Sequence, residues 1–263
     1  MNSKKILCLI LLLIFFMVVP VQAADIVLLF DASGSMREFP TDGSQVPKIE
    51  LARQGVNSFL SSLSENDRVA LIVFYNCDDI QVEVNFTQDK DQIRRRLSLV
   101  NPKSGTPIAQ ALEKGWSYLK QYGRKCEGCS CEKWAIVLFT DGEETCHGNG
   151  CTVSSNIANE AGQYSQTSVY VIAYDMPTTR IYSDPSGSHN DLACIAQSTG
   201  GTFASCPTAV QLNMAFKQTA INISNDISRG GNRCNSYGNW ESIGVVSIVL
   251  IAGALIALKI GWK

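Results

Sequence analysis

One acidic and two hydroxyl residues follow a continuous apolar run near the start of the chain. Residues 26–30 are all apolar, and Asp31, Ser33 and Ser35 come next at alternate positions. We therefore predict that a buried strand delivers a carboxylate and two hydroxyl groups to its own C-terminal end. Hard oxygen ligands of this kind suit Mg2+, Mn2+ or Ca2+ and do not suit zinc. Because open α/β sheets bind ligands at the C-terminal ends of parallel strands, the position also favours a metal site.

The same short pattern occurs a second time in a different context. Asp184, Ser186 and Ser188 repeat the spacing, but Pro185 and Gly187 lie between them and no apolar run precedes them. Because Pro and Gly favour turns, we interpret this copy as a solvated loop without a metal. The pattern alone is a weak signal, so the first copy needs further oxygen donors to support it.

Two such donors follow, each with an ordinary structural alternative. Thr106 stands before Pro107 and a helical apolar pattern, where a helix N-cap is the simplest interpretation. Asp141 follows the run 134–140 and precedes a glycine, where a turn residue is the simplest interpretation. Taken together with Asp31, however, two predicted strands end in Asp and a helix start offers Thr. This combination favours one shared site.

With these donors in this order, the chain resembles the von Willebrand factor type A (VWA) domain over roughly residues 25–228. The resemblance implies a complete metal-ion-dependent adhesion site formed by Asp31, Ser33, Ser35, Thr106 and Asp141. It implies that the serines bind the ion directly, the threonine directly or through water, and the aspartates partly through waters. One coordination position would stay open for an Asp or Glu carboxylate of a protein partner. Mg2+ is the expected ion, with Mn2+ or Ca2+ as alternatives.

The elements that must position these residues alternate along the chain. Long apolar runs suit parallel strands covered on both faces, and the alternating pattern at 80–86 indicates an antiparallel edge strand. The predicted strands are 25–31, 68–75, 80–86, 134–140, 168–174 and 202–205. The predicted helices are 47–63, 89–99, 106–122, 154–164, 189–199 and 208–227. The expected fold is α/β: a doubly wound, mostly parallel sheet with one antiparallel edge strand and helices on both faces, as in VWA and Rossmann-like domains.

Both ends of the chain carry apolar segments. Two lysines and an apolar run that ends in small residues predict a signal peptide over residues 1–23, with an uncleaved anchor as the alternative. Residues 243–262 predict a transmembrane helix, although its apolar core is short for a span. A buried core helix and a lipid-anchor signal are the alternatives for this segment.

The two segments predict the topology of the protein. The VWA domain would occupy residues 24–228, and a Gly-, Asn- and Ser-rich tether at 229–242 would join it to the membrane. We therefore expect a single-pass protein of the cell membrane with its domain on the extracytoplasmic side.

Nine of the ten cysteines lie beyond the predicted signal peptide, which argues for disulfides and an oxidising compartment. Those near the C-terminal ends of strands form an upper set: Cys77, Cys146, Cys151, Cys194 and Cys206. We predict that Cys146 pairs with Cys151. Cys194 would then pair with Cys206, leaving Cys77 free or intermolecular. The remaining cysteines form a lower set at the opposite edge: Cys126, Cys129, Cys131 and Cys234. Two disulfides are expected there, and a zinc or redox site is disfavoured because no histidine is near.

The net charge and the histidine content argue against two classes of function, nucleic-acid binding and catalysis. A formal net charge of −2 gives no basis for nucleic-acid binding. The two histidines, His147 and His189, lie in no recognisable triad motif, so we expect no enzymatic activity. Glu143 and Glu144, just after Asp141, are interpreted either as partner contacts or as residues of a solvated turn.

The leading hypothesis is an extracytoplasmic, membrane-anchored, divalent-metal-dependent protein-binding module of the adhesion type. An envelope assembly or maturation subunit that docks a partner through the same site is the main alternative. A hydrolase that uses the ion as a Lewis acid would need a general base beside the site. A purely structural ion is the remaining alternative.

Overall fold

The computed structural model describes residues 23–125, 133–161, 167–176 and 188–230. Its strands are β1 (Ala24–Asp31), β2 (Arg68–Asn76), β3 (Asp79–Thr87), β4 (Lys133–Thr140), β5 (Thr167–Tyr174) and β6 (Phe203–Cys206). Its α-helices are α1 (Lys48–Ser62), α2 (Lys90–Leu97), α3 (Ile108–Tyr122), α4 (Gly150–Ala161), α5 (Ser188–Ser198) and α6 (Ala209–Gly230). A short 3-10 helix, Gly34–Arg37, follows β1.

The strands form one six-stranded sheet of order β3-β2-β1-β4-β5-β6. Strand β1 pairs in parallel with both β2 and β4, and β5 and β6 extend the parallel part. Strand β3 pairs antiparallel with β2 and forms an edge. The predicted mostly parallel sheet with one antiparallel edge strand is therefore confirmed.

Alternate residues of β1 point to opposite faces of the sheet, as the strand pleat requires. Ile26, Leu28 and Phe30 belong to one core, whereas Val27 and Leu29 belong to the other. Helices α1, α2 and α6 contribute to the first core, and α3, α4 and α5 to the second. Because helices cover both faces, the interior positions of the central strands β1, β2 and β4 are apolar.

The largest difference from the predicted boundaries is the start of α4. This helix begins at Gly150, four residues before the predicted start at 154. The side chain of Asn149 accepts a hydrogen bond from the backbone N–H of Thr152 at 2.7 Å and so caps the first turn. The prediction followed the apolar pattern, which begins later than the capped turn.

The predicted terminal segments fall largely beyond the part of the chain that the structure describes. This holds for the signal peptide at 1–23 (apart from its last residue) and for the transmembrane helix at 243–262. Helix α6 continues to Gly230, two residues into the tether predicted at 229–242, and the rest of that predicted tether lies outside the described residues. Among the described residues, no helix has both the length and the apolar character that a membrane crossing requires.

Gly201, between α5 and β6, offers a test of this packing. A Cβ atom at this position would lie 2.0 Å from the carbonyl oxygen of Val169 in β5. We expect Gly201→Ala to lower the free energy of unfolding by about 3 kcal/mol, because backbone must move. Gly200→Ala is the matched control, since its Cβ would meet nothing within 4 Å and only its positive φ of 73° opposes the change. Equal losses in urea denaturation of the two variants would contradict this packing.

Candidate metal centre

The predicted ligand residues gather at the C-terminal edge of the sheet. Asp31 ends β1, and Asp141 directly follows β4. These two strands are neighbours in parallel register, with Phe30 opposite Phe139, so their C-terminal ends lie side by side. Two strands distant in sequence thus bring two aspartates to one place.

Hydrogen bonds connect the side chains that follow β1 to the aspartate that follows β4. The hydroxyl of Ser35 donates to Asp141 Oδ1 at 2.7 Å, and the Oγ atoms of Ser33 and Ser35 are 3.1 Å apart. Asp31 Oδ1 accepts the backbone N–H of Ser33 at 2.7 Å, and its Oδ2 accepts the hydroxyl of Thr140 at 2.6 Å. The result is a cluster of oxygen atoms from both strand ends.

Thr106 contributes its hydroxyl from the segment before α3. A Cβ atom added at Gly142 would lie 3.6 Å from Thr106 Oγ1, which places this hydroxyl against the residue after Asp141. Thr106 is not the helix cap, because α3 begins at Ile108 with Pro107 in the N-cap position. Its backbone instead pairs with Thr145, with Thr106 N donating to Thr145 Oγ1 at 2.7 Å.

The two aspartates are buried close to each other, and this has an electrostatic consequence. Asp31 is fully buried and Asp141 is 6% exposed. Burial first, and then repulsion from Asp141, raise the pKa of Asp31 to about 7 from an ordinary value of 3.8. A cation between the two carboxylates would relieve this repulsion, and the hydroxyl oxygens around them are ligands that hard divalent ions accept. The donor set therefore fits Mg2+, Mn2+ or Ca2+.

The structure adds a buried lysine that the sequence analysis missed. Lys48 Nζ lies 3.0 Å from Asp141 Oδ2 and 3.0 Å from Asp175 Oδ2. Burial alone would lower the pKa of Lys48, but the carboxylates of Asp141 and Asp175 outweigh it and hold that pKa above its ordinary value. Lys48 is the first residue of α1, where a positive charge opposes the helix dipole. That unfavourable position is the signal in the sequence that could have revealed a specific partner.

Glu144 joins the loop after Asp141 to the start of α3 by hydrogen bonds. Its Oε2 atom accepts the backbone N–H of Ala109 at 2.7 Å, and its Oε1 accepts that of Cys146 at 2.9 Å. Glu144 therefore caps α3 and its own loop and is not merely a solvated turn residue. Glu143 is partly buried, and His147 is exposed in the same loop.

Both predicted disulfide pairings in the upper set are wrong. Cys77 bonds to Cys146, which joins the β2–β3 turn to the loop after β4. Cys151 bonds to Cys194, which joins α4 to α5. Because α4 begins at Gly150, Cys151 lies on this helix, which packs against α5. Cys206 is the free cysteine of the upper set, and burial raises the pKa of its thiol to about 12.

Other sequence predictions fall where the structure describes little or nothing. The lower cysteines (Cys126, Cys129, Cys131 and Cys234) lie outside the described residues, as do Asp184 and Ser186 of the second motif copy. Ser188 begins α5 and His189 follows it, without a described side chain for either. Among the described residues, no three His, Cys, Asp or Glu side chains form a metal cluster, so the candidate centre depends on hydroxyl oxygens.

Comparison with known proteins shows what this part of the chain resembles. Residues 26–144 match the family model of the von Willebrand factor type A domain, and this span includes all five predicted ligand residues. The chain is 29% identical over 214 residues to the uncharacterized protein YwmC of Bacillus subtilis (strain 168), covering 76% of this chain and 85% of YwmC.

Several solved structures share the fold. An aerotolerance-related membrane protein from Bacteroides fragilis NCTC 9343 matches with a TM-score of 0.58 and 21% identity, over 77% of this chain and 99% of that one. The vWF domain of the type V pili tip protein Mfa5 from Porphyromonas gingivalis matches with a TM-score of 0.56 and 13% identity, over 83% and 98%. The described domain thus has the VWA fold, as the sequence resemblance predicted.

Proposed function

We propose that this protein is an extracytoplasmic, membrane-anchored module that binds a protein partner through a divalent cation. The observation that carries the proposal is the meeting of two buried carboxylates with the hydroxyls of Ser33 and Ser35 at adjacent strand ends. Such a cluster leaves negative charge buried, and a hard divalent cation is the partner that matches its oxygen atoms.

Five residues would hold the ion: Asp31, Ser33, Ser35, Thr106 and Asp141. When bound, the ion supplies a coordination position that accepts an Asp or Glu carboxylate from the partner. Mg2+ is the first candidate, and Mn2+ or Ca2+ can occupy a similar oxygen site. The role of the chain is to orient these oxygens, because Ser35 and Thr140 each hydrogen-bond one aspartate.

The course of α6 supports a site that faces away from the membrane. The helix begins beside the site, where Asp42 Oδ2 accepts the N–H of Ala209 at 3.0 Å. It ends at the opposite edge of the sheet, where Asp226 lies 2.9 Å from Lys133 at the start of β4. A membrane segment that follows α6 would therefore leave the metal centre on the distal side of the domain.

The structural neighbours suggest a membrane or extracellular setting and a role in adhesion or assembly. One is described as an aerotolerance-related membrane protein and another as a type V pili tip protein. Neither description separates adhesion from the second candidate function, an envelope assembly or maturation subunit that docks a partner at the same site. Both candidates require the ion, so metal binding is the first property to test.

Isothermal titration calorimetry on the purified full-length protein tests the proposal. We expect one site for Mg2+, Mn2+ or Ca2+ in the wild type and no measurable binding in Asp31→Ala or Asp141→Ala, because each change removes a carboxylate from the cluster. Ser186→Ala and Ser188→Ala are the controls and should bind as the wild type does. Equal binding by the wild type and both aspartate variants would contradict the proposal.

A further inference from the structure

We infer that Lys48 is a built-in counter-cation of the metal centre, which pairs with Asp141 when the divalent ion is absent and weakens the binding of that ion. The inference rests on the proposed metal site and adds a residue that sets its affinity. It also implies that Asp175, the second partner of Lys48, acts in the opposite direction.

The geometry makes Lys48 part of the centre. Its ammonium contacts one oxygen of Asp141, while the other oxygen of the same carboxylate accepts the hydroxyl of Ser35. The ammonium and the ion would therefore share a single carboxylate. The side chains are 8% exposed for Lys48 and fully buried for Asp141, so little solvent screens the two charges from each other.

Asp175 holds the ammonium from the other side and is itself fixed in place. Its backbone N–H donates to the carbonyl of Cys206 at 2.9 Å, and its Oδ1 accepts the backbone N–H of Thr41 at 3.0 Å. Its Oδ2 contacts Lys48 Nζ at 3.0 Å. Because Asp175 shares the ammonium, the positive charge that opposes an incoming ion at Asp141 is partly neutralised.

Two opposite effects follow from this arrangement. Without the Lys48 charge, Asp141 and Asp175 would be buried without a cationic partner, so the metal-free domain would lose stability and the ion would gain affinity. Without the Asp175 charge, the ammonium would pair with Asp141 alone and would oppose the ion more strongly. A lysine with a purely structural role would not change metal affinity in opposite directions in these two variants.

Calorimetry with Mg2+ on the full-length protein, together with thermal unfolding in Mg2+ and in chelator, tests the inference. We expect Lys48→Met to tighten Mg2+ binding on the order of tenfold, and to lower the melting temperature more in chelator than in Mg2+. Lys48→Arg keeps the charge and should change the affinity by less than about threefold. Asp175→Asn should weaken Mg2+ binding roughly threefold to tenfold, and its positive φ of 51° suits asparagine.

The outcomes separate the inference from the proposed function. If the wild type binds none of Mg2+, Mn2+ and Ca2+, the proposed function and the inference both fail. If the wild type binds Mg2+ but Lys48→Met binds it equally or more weakly, the inference alone fails. If Lys48→Met does not fold even with Mg2+, the Asp175→Asn variant tests the inference instead. Unchanged or tighter Mg2+ binding by Asp175→Asn would then overturn the inference.

Discussion

Replacing Asp31 with asparagine should stabilise the metal-free domain at pH 8 and abolish its response to divalent ions. Asp31 is fully buried, and burial and the nearby Asp141 raise its pKa to about 7. In the absence of an ion, the ionised carboxylate at pH 8 is therefore unfavourable in the folded state. We expect Asp31→Asn in chelator to raise the free energy of unfolding by roughly 2–4 kcal/mol at pH 8.

The neutral amide can keep the local hydrogen bonds. Its oxygen can accept the N–H of Ser33, as Asp31 Oδ1 does at 2.7 Å. Its NH2 group can donate to Thr140 Oγ1, whose own hydroxyl can turn to the carbonyl of Gly142 at 3.2 Å. The substitution therefore removes charge without leaving an unpaired polar atom.

The raised pKa of Asp31 determines how the stability of the metal-free domain changes with pH. Because the pKa of Asp31 is higher in the folded domain than its ordinary value of 3.8, the folded state holds this proton more tightly. The stability that the protonated Asp31 contributes to the folded domain is fully present below pH 4 and is lost as the pH rises through about 7. In chelator, the wild type should therefore lose stability between pH 5 and pH 8, and Asp31→Asn should lose much less.

Urea denaturation in chelator at several pH values, repeated with Mg2+, measures both parts of this prediction. Asp78→Asn is the control, because Asp78 is an exposed carboxylate and should leave the pH profile unchanged. A less stable Asp31→Asn variant at pH 8 in chelator would show that the carboxylates do not repel each other there. Stabilisation of this variant by Mg2+ as large as that of the wild type would show that Asp31 is not a ligand.

The part of the site that follows from strand ends could be predicted from the sequence. The apolar runs before Asp31 and Asp141 identify buried strands, and neighbouring parallel strands must end at the same edge of the sheet. The α/β architecture follows from the same runs, because only strands covered on both faces are apolar at every position. These inferences need the order of elements along the chain and little else.

Contacts between side chains of different layers could not be predicted in this way. Lys48 contacts Asp141 and Asp175 because the start of α1 lies near the C-terminal ends of β4 and β5. A strand or helix pattern shows which face is apolar, but it does not show which polar atom at a helix start meets which strand end. The capping of α3 by Glu144 is of the same kind, because donor and acceptor come from segments 35 residues apart.

The disulfide predictions failed for a related reason. The division into upper and lower cysteines used only the direction of each strand, and both observed bonds do join upper cysteines. The choice of partners, however, depends on which loops meet above the sheet. The β2–β3 turn meets the loop after β4 although β1 lies between the two strands, and chain order gives no indication of this.

Removal of the Cys77–Cys146 disulfide should destabilise the domain and also weaken metal binding. The bond closes a loop with a sequence separation of 69 residues, and the chain-entropy relation gives about 4 kcal/mol for a loop of this length. Cys146 directly follows Thr145, whose backbone N–H and hydroxyl pair with the backbone of Thr106. The disulfide therefore holds the loop that fixes one of the proposed ligand residues.

The second disulfide provides a matched control for the double variant Cys77→Ala/Cys146→Ala. Cys151 and Cys194 are separated by 43 residues, so Cys151→Ala/Cys194→Ala should lower the free energy of unfolding by a similar amount, about 4 kcal/mol. This bond joins α4 to α5, and neither cysteine adjoins a proposed ligand residue. Urea denaturation should therefore show comparable losses for the two double variants.

Metal affinity should distinguish the two disulfides. We expect calorimetry with Mg2+ to show several-fold weaker binding in Cys77→Ala/Cys146→Ala and an unchanged affinity in Cys151→Ala/Cys194→Ala. The physical reason is that loosening the loop after Asp141 frees Thr106 and adds an ordering cost to ion binding, whereas loosening α4 from α5 leaves the ligand residues in place. Equal weakening in both variants would mean that global stability controls the affinity and that the loop after β4 has no separate role.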